Sequence, residues 1–177
     1  MSAKKLLLGA GALGIVASLV LWVLGGVLAE HTVSIAIAAP PERVFAYLTE
    51  PNHLVRWIGG LKKSEPLTSD GLRVGARSRE TVEENGRRME METVVTRLEP
   101  GRLLEVQINA GMFEAKNRFE LTHEAGVTRV VQTLEAQYRG AARLIAPFLK
   151  GSVQKKLDTD LARLRDVVES ETGQPSR

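Results

Sequence analysis

The sequence contains no cysteine. That removes disulfides, thiolate metal sites and cysteine nucleophiles, while leaving the redox compartment open. It also lacks any block of like charge. Lys and Arg number 24 against 21 Asp and Glu, a formal net charge of +3. Two of the positive charges, Lys4 and Lys5, precede an apolar segment, so the rest carries 24 − 2 = 22 basic against 21 acidic residues, interleaved along the chain. Nucleic acid wants a concentrated basic face, and no nucleic-acid partner is expected. H-E-x-x-H, P-loop and G-x-S-x-G motifs are missing. Ser34, Ser64, Ser69, Ser78 and Ser152 are scattered without an identifiable base. No catalytic residue, metal or cofactor is assigned, and the chain leans away from being an enzyme.

What is present is enough apolar material, 44% of 177 residues, for one domain with a real core plus an appendage. The appendage is Leu6 to Ala29, 24 residues without a charge. As a helix it would span about 36 Å, enough for a hydrocarbon core of about 30 Å. A cleaved signal peptide is the rival reading, since Val27-Leu28-Ala29 resembles a cleavage site, but a signal h-region normally has only about 7–15 apolar residues. The expected organisation is a basic N-terminus at 1–5, a transmembrane anchor at 6–29, a folded domain at 31–170 and a disordered tail at 171–177. Lys4 and Lys5 favour a cytoplasmic N-terminus with the domain on the exported side. Gly9 to Gly14 spells G-x-G-x-x-G, but no strand precedes it and no βαβ unit surrounds it. Ala10, Gly14 and Ser18 form a small-residue stripe through which two anchors could pack as a homodimer, although such residues are also common in membrane helices.

The domain follows almost at once. Thr32 to Ile37 alternates with period two and reads as a strand. Pro40-Pro41-Glu42 opens a helix with Val44, Phe45 and Leu48 on its apolar face. Pro51 breaks it, and a second short helix runs through Trp57. Strands are then predicted at Leu61–Leu67, Ala76–Glu84, Arg87–Leu98, Leu103–Asn109, Phe113–Thr122 and Thr128–Tyr138. Turns at Asp70-Gly71, Asn85-Gly86, Pro100-Gly101 and Ala125-Gly126 separate them. Ala141 to Ser170 reads as a long amphipathic helix whose stripe is Leu144, Phe148, Val153, Leu157, Leu161, Leu164 and Val168. Its single step of five falls at Pro147 and Gly151, where a kink is expected. Seven strands, two short helices and one long helix make an α+β domain, a curved antiparallel sheet gripping its last helix.

This order resembles the START-like helix-grip superfamily, specifically its polyketide cyclase/dehydrase and lipid-transport (SRPBCC) branch. The residues that carry the resemblance are Ala39-Pro40-Pro41-Glu42-Arg43-Val44-Phe45-Ala46-Tyr47-Leu48-Thr49 with Trp57, then Val74-Gly75-Ala76, Val95 to Pro100 and Gly126 to Val130. The resemblance spans about Thr32 to Glu169. It implies a hydrophobic cavity between sheet and last helix for lipids, polyketides or other apolar molecules, without a shared catalytic motif.

The expected cavity lining is Trp57, Met89, Met91, Thr93, Asn117, Phe119, Gln132, Leu134 and Phe148. Asn117 and Gln132, on adjacent strands, either bond each other or meet a ligand, because a buried polar group without a partner costs about 1–3 kcal/mol. The two methionines suit an adaptable wall but are also ordinary core filler. Glu83, Glu84, Glu90 and Glu92 read as a solvated face paired with Arg87 and Arg88. His31 and His123 are expected to be solvated, His53 to lie at the surface, and Trp57 to be structural. Three functions follow. The first is a membrane-anchored binding protein for a lipid or other hydrophobic small molecule. The second is a cyclase/dehydrase-like enzyme in which Asn117, Gln132 or an inward Arg79 orients the substrate. The third is a protein-interaction module without a small ligand.

Overall fold

The structure is a computed structural model that describes residues 29–172, without Asn85 and without the side chains of Leu144, Pro147 and Thr172. Residues 6–28 of the expected anchor at 6–29, its small-residue stripe and the tail from residue 173 lie outside the described residues, while Ala29 belongs to the first strand. Among the described residues no helix is long and apolar enough to cross a membrane.

Strand β1 (Ala29–Ile37) is followed by α1 (Pro41–Thr49) and α2 (Pro51–Trp57). Then come β2 (Leu61–Pro66), β3 (Arg77–Glu84), β4 (Arg87–Glu99), β5 (Leu103–Asn109), β6 (Phe113–Glu124), β7 (Val127–Tyr138) and α3 (Ala142–Thr172). Both short helices begin on a proline, whose missing N–H costs nothing there. The sheet order is β1-β7-β6-β5-β4-β3-β2, every neighbour antiparallel. The helix pair therefore carries the chain from one edge of the sheet to the other. The turn between β6 and β7 places Ala125 and Gly126 at φ 50° and 82°. Two positive φ values match the right-handed twist of a two-residue hairpin, and alanine adopts one at a small cost. Register shifts between Leu61 and Lys63, and between Val95 and Arg97, bend β2 and β4.

The predicted long helix is present and runs unbroken through Pro147 and Gly151. Leu157, Leu161, Leu164 and Val168 are buried against β1 and the short helices. Phe148 is not in that stripe; it is 85% exposed. The cause is angular. At about 100° per residue, five positions turn the helix by about 500°, which puts Phe148 some 140° away from Val153. The stripe instead continues through Leu149, Ala146 and Ala142, all packed on a second cluster formed by Ala115, Ala136 and Tyr138.

Polar latches fix α3 in place. The Asp160 carboxylate accepts from the Gly59 N–H at 2.9 Å, and Lys156 Nζ donates to Asp160 at 2.6 Å and to the Gly59 carbonyl at 2.8 Å. A Cβ on Gly59 would stand 2.4 Å from the Arg163 guanidinium, the tip of a half-exposed side chain with room to swing aside. Glu169 accepts from the Ala38 N–H at 2.8 Å. Farther on, Glu171 is helical and not part of a tail. Its carboxylate takes the Tyr47 hydroxyl and an ion pair from Arg56, which hold it below the usual carboxylate range.

Candidate binding site

Directly opposed residues of an antiparallel pair share a face, so the register assigns the concave side of the sheet. It carries Val33 and Ile35 of β1, Val130, Gln132 and Leu134 of β7, and Ala115, Asn117 and Phe119 of β6. Leu104, Val106 and Ile108 of β5 continue it, then Met89, Met91, Thr93 and Val95 of β4. Seven of the nine expected lining residues are thus on one face. Trp57 reaches it from α2, edge-on to Phe119 at 6.2 Å between ring centres. Its indole N–H donates to the Tyr47 carbonyl at 2.9 Å, so the polar end of Trp57 is used within the fold. Phe148 stands outside the group.

The face is closed at one end and open at the other. Leu104, Phe119, Leu121 and Val130 are buried beneath the helices. Met89, Met91, Thr93, Val106, Ile108, Asn117 and Leu134 are only half-buried, although they lie in the interior of the sheet. That follows from where α3 packs: its contacts are with β1, with the short helices and, fewer, with β7.

Polar groups on this face divide into two sets. On β6 and β7, Gln132 Nε2 donates to Asn117 Oδ1 at 3.0 Å. Gln132 is 3% exposed, and its Oε1 has no partner among the described residues. Both alternatives open in the sequence are therefore in view, a bonded pair and a spare acceptor. On the other wing Glu80 faces inward, opposite Met91. Its carboxylate accepts from the hydroxyls of Ser64 at 3.3 Å, Ser78 at 2.7 Å and Thr93 at 2.5 Å. Glu80 makes no ion pair among the described residues. Neither it nor Ser64 and Ser78 was singled out by the sequence; the Glu-to-Thr spacing across a hairpin was the available signal.

Two expectations change here. Arg79 points to the convex side, where with Arg77 it pairs with Glu92 at 3.8 and 2.5 Å. An inward arginine at 79 would require a one-residue slip of β3, which flips every side chain. His31 is 3% exposed, not solvated, and its Nδ1 lies 3.2 Å from Gln154 Oε1 of α3. It is opposed to Leu134, on the concave side. His53 stacks on Tyr47 at 4.1 Å, away from this face, and His123 is exposed beside Thr128 as expected. Among the described residues no three His, Asp or Glu side chains converge as a metal site.

A curved antiparallel sheet around a C-terminal helix, with an apolar concave face, defines the helix-grip class. The chain belongs to the family described as polyketide cyclase / dehydrase and lipid transport, whose sequence model matches residues 29–169. Similar solved structures include the Zhui aromatase/cyclase from Streptomyces sp. R1128. It is 17% identical with a TM-score of 0.69, covering 82% of this chain and 96% of that one. A START superfamily protein from Mycobacterium smegmatis is also 17% identical, TM-score 0.68, covering 80% and 97%. A conserved protein from Geobacillus kaustophilus is 18% identical, TM-score 0.66, covering 80% and 95%. At these identities the likeness is one of fold. Among curated proteins none matches the sequence.

Proposed function

We propose that this protein is a membrane-tethered binding protein for a lipid or other hydrophobic small molecule, held between the concave sheet face and α3. The observation that carries this reading is the half-buried apolar floor. Met89, Met91, Val106, Ile108 and Leu134 sit at the centre of a sheet, a place normally covered, and α3 leaves them partly open. Burying such area on a ligand yields about 25 cal/mol per Å². Family membership supports the same reading. The tether rests on the uncharged segment 6–29. In its favour, β1 begins at Ala29, so no linker separates segment and sheet. Cyclase/dehydrase chemistry, with Asn117, Gln132 or the inward Glu80 orienting the substrate, would itself require the binding step.

Native mass spectrometry of the full chain, extracted from membranes in detergent, tests the proposal. A single apolar species should stay bound to the wild type after detergent release. Met91→Trp, which fills the open floor, should cut its occupancy about tenfold. A wild type that carries nothing from any membrane extract ends the reading.

A further inference from the structure

The concave face is one-sided in its charge, and this selects the ligand's head group. We infer that the site takes amphiphiles whose polar group is a hydrogen-bond donor, a hydroxyl or an ammonium, and rejects carboxylate and phosphate head groups. The inference rests on the binding reading above and sharpens it.

Two acceptors face inward without a donor sufficient to them. Gln132 Oε1 is buried and unpartnered. Its amide nitrogen is committed to Asn117, so the free atom can only accept. Glu80 is a carboxylate bonded by three neutral hydroxyls and, among the described residues, by no cation. Neutral hydroxyls leave its negative charge in place.

The basic side chains do not balance it. Arg77, Arg79, Arg97, Lys116, Arg118 and Arg129 alternate onto the convex side, most of them in ion pairs or hydrogen bonds there. Among the described strand residues Arg87 shares the concave side by register, but it is exposed at the hairpin end of β4, directly opposite Glu84. From α3, Lys156 is taken up by Asp160 and the Gly59 carbonyl. An incoming carboxylate would thus lose its water and meet the Glu80 carboxylate with no cation to offset it, whereas a hydroxyl or ammonium would satisfy Gln132 or Glu80.

Glu80 and Gln132 lie four strands apart, on β3 and β7, with Met91, Val106, Ile108 and Leu134 between them. At about 4.8 Å per strand this is about 19 Å across the strands, and the register adds about 20 Å along them, because Gln132 aligns through Phe119 and Leu104 with Leu98 of β4 whereas Glu80 faces Met91. The arrangement fits an apolar body with a donor group near one end.

The test is photolabelling of the full chain in phosphatidylcholine nanodiscs with three chain-matched C12 diazirine probes, an alcohol, an amine and a carboxylate, read by peptide mass spectrometry on β4 to β7. In the wild type the alcohol and amine should label these strands at least about tenfold more than the carboxylate, each signal normalised to the nanodisc scaffold. Glu80→Gln should lower amine labelling about tenfold relative to wild type, and Gln132→Met should lower alcohol labelling several-fold. Comparing each probe between variants cancels its partitioning into lipid. Carboxylate labelling equal to that of the amine in the wild type overturns the inference, as does an amine signal unmoved by Glu80→Gln in a variant that melts like the wild type. In either case labelling on β4 to β7 leaves the binding reading intact. If no probe labels these strands at all, the binding reading fails and takes the inference with it.

Discussion

Glu105 shows what a carboxylate with a full set of partners looks like in this fold. It is buried on the convex side, where burial by itself would raise its pKa. The Thr96 hydroxyl at 2.9 Å and the Arg118 guanidinium at 3.0 Å outweigh that and hold it below the ordinary carboxylate range. A depressed folded pKa contributes stability above the unfolded pKa, and this is lost as pH falls through the folded value. Glu105→Gln should therefore cost about 1 kcal/mol at pH 7, modest because the Arg118 side chain is 33% exposed and screened. In thermal melts the gap from wild type should stay constant from pH 8 to about 5.5 and close below about 4.5. A gap that widens in acid would contradict this origin. Glu80 differs in having hydroxyls only, and that difference is what gives the concave face its charge. The distinction was invisible in the sequence. From Arg77 to Thr81 β3 is polar at every position, so no apolar alternation marks which side faces in, and only Val82 fixes the parity. On β6 and β7 the alternation Ala115-Asn117-Phe119-Leu121 and Val130-Gln132-Leu134 leaves no doubt, so Asn117 and Gln132 were legible.

Among the elements, α3 separates its two halves by function. From Val153 onward it is structural, with Leu161 and Leu164 essentially without exposure. Before Gly151 it presents Ile145 at 53% and Phe148 at 85% exposure, while Ala146 and Leu149 cover the second cluster. Leu164→Ala should cost about 2–5 kcal/mol, as expected for a core cavity. Phe148→Ser should change stability by no more than about 0.5 kcal/mol. Chemical denaturation of the two variants checks the pair, and a large loss in Phe148→Ser would place that ring in the core. The helix, its length and its buried C-terminal half were readable from spacing. Its first half was not, because Phe148 and Leu149 are both large and apolar and adjacent. Only the phase set by Val153 and the second cluster decides between them.

At the scale of the molecule, the exposed apolar side chains fall in separate places: Leu67, Leu72 and Val74 lie between β2 and β3 and Val127 at the far end of β7, whereas Met112, Ile145 and Phe148 lie near the end where β1 begins. Ala29, where β1 begins, pairs with Ala136 and packs in the same cluster as Ala142 and Ala146. Met112, 57% exposed, accepts from the Arg139 N–H at 2.8 Å just ahead of α3. Met112, Ile145 and Phe148 therefore lie at the same end of the domain as Ala29. If segment 6–28 spans a bilayer, this end must face it, and the half-buried floor opens toward the source of apolar ligands. The absence of native cysteine makes the arrangement measurable with single labels. Phe148→Cys and Val127→Cys mark opposite ends, since Val127 starts β7 and lies eleven residues, about 37 Å, from Tyr138. With a fluorophore on each, in the full chain reconstituted into vesicles, brominated lipids should quench the label at position 148 and leave the one at position 127 bright. Equal quenching would mean that the domain lies on its side. Quenching at neither position, with the chain still bound to the vesicles, would mean that the domain stands off the membrane and that its exposed phenylalanine serves another contact.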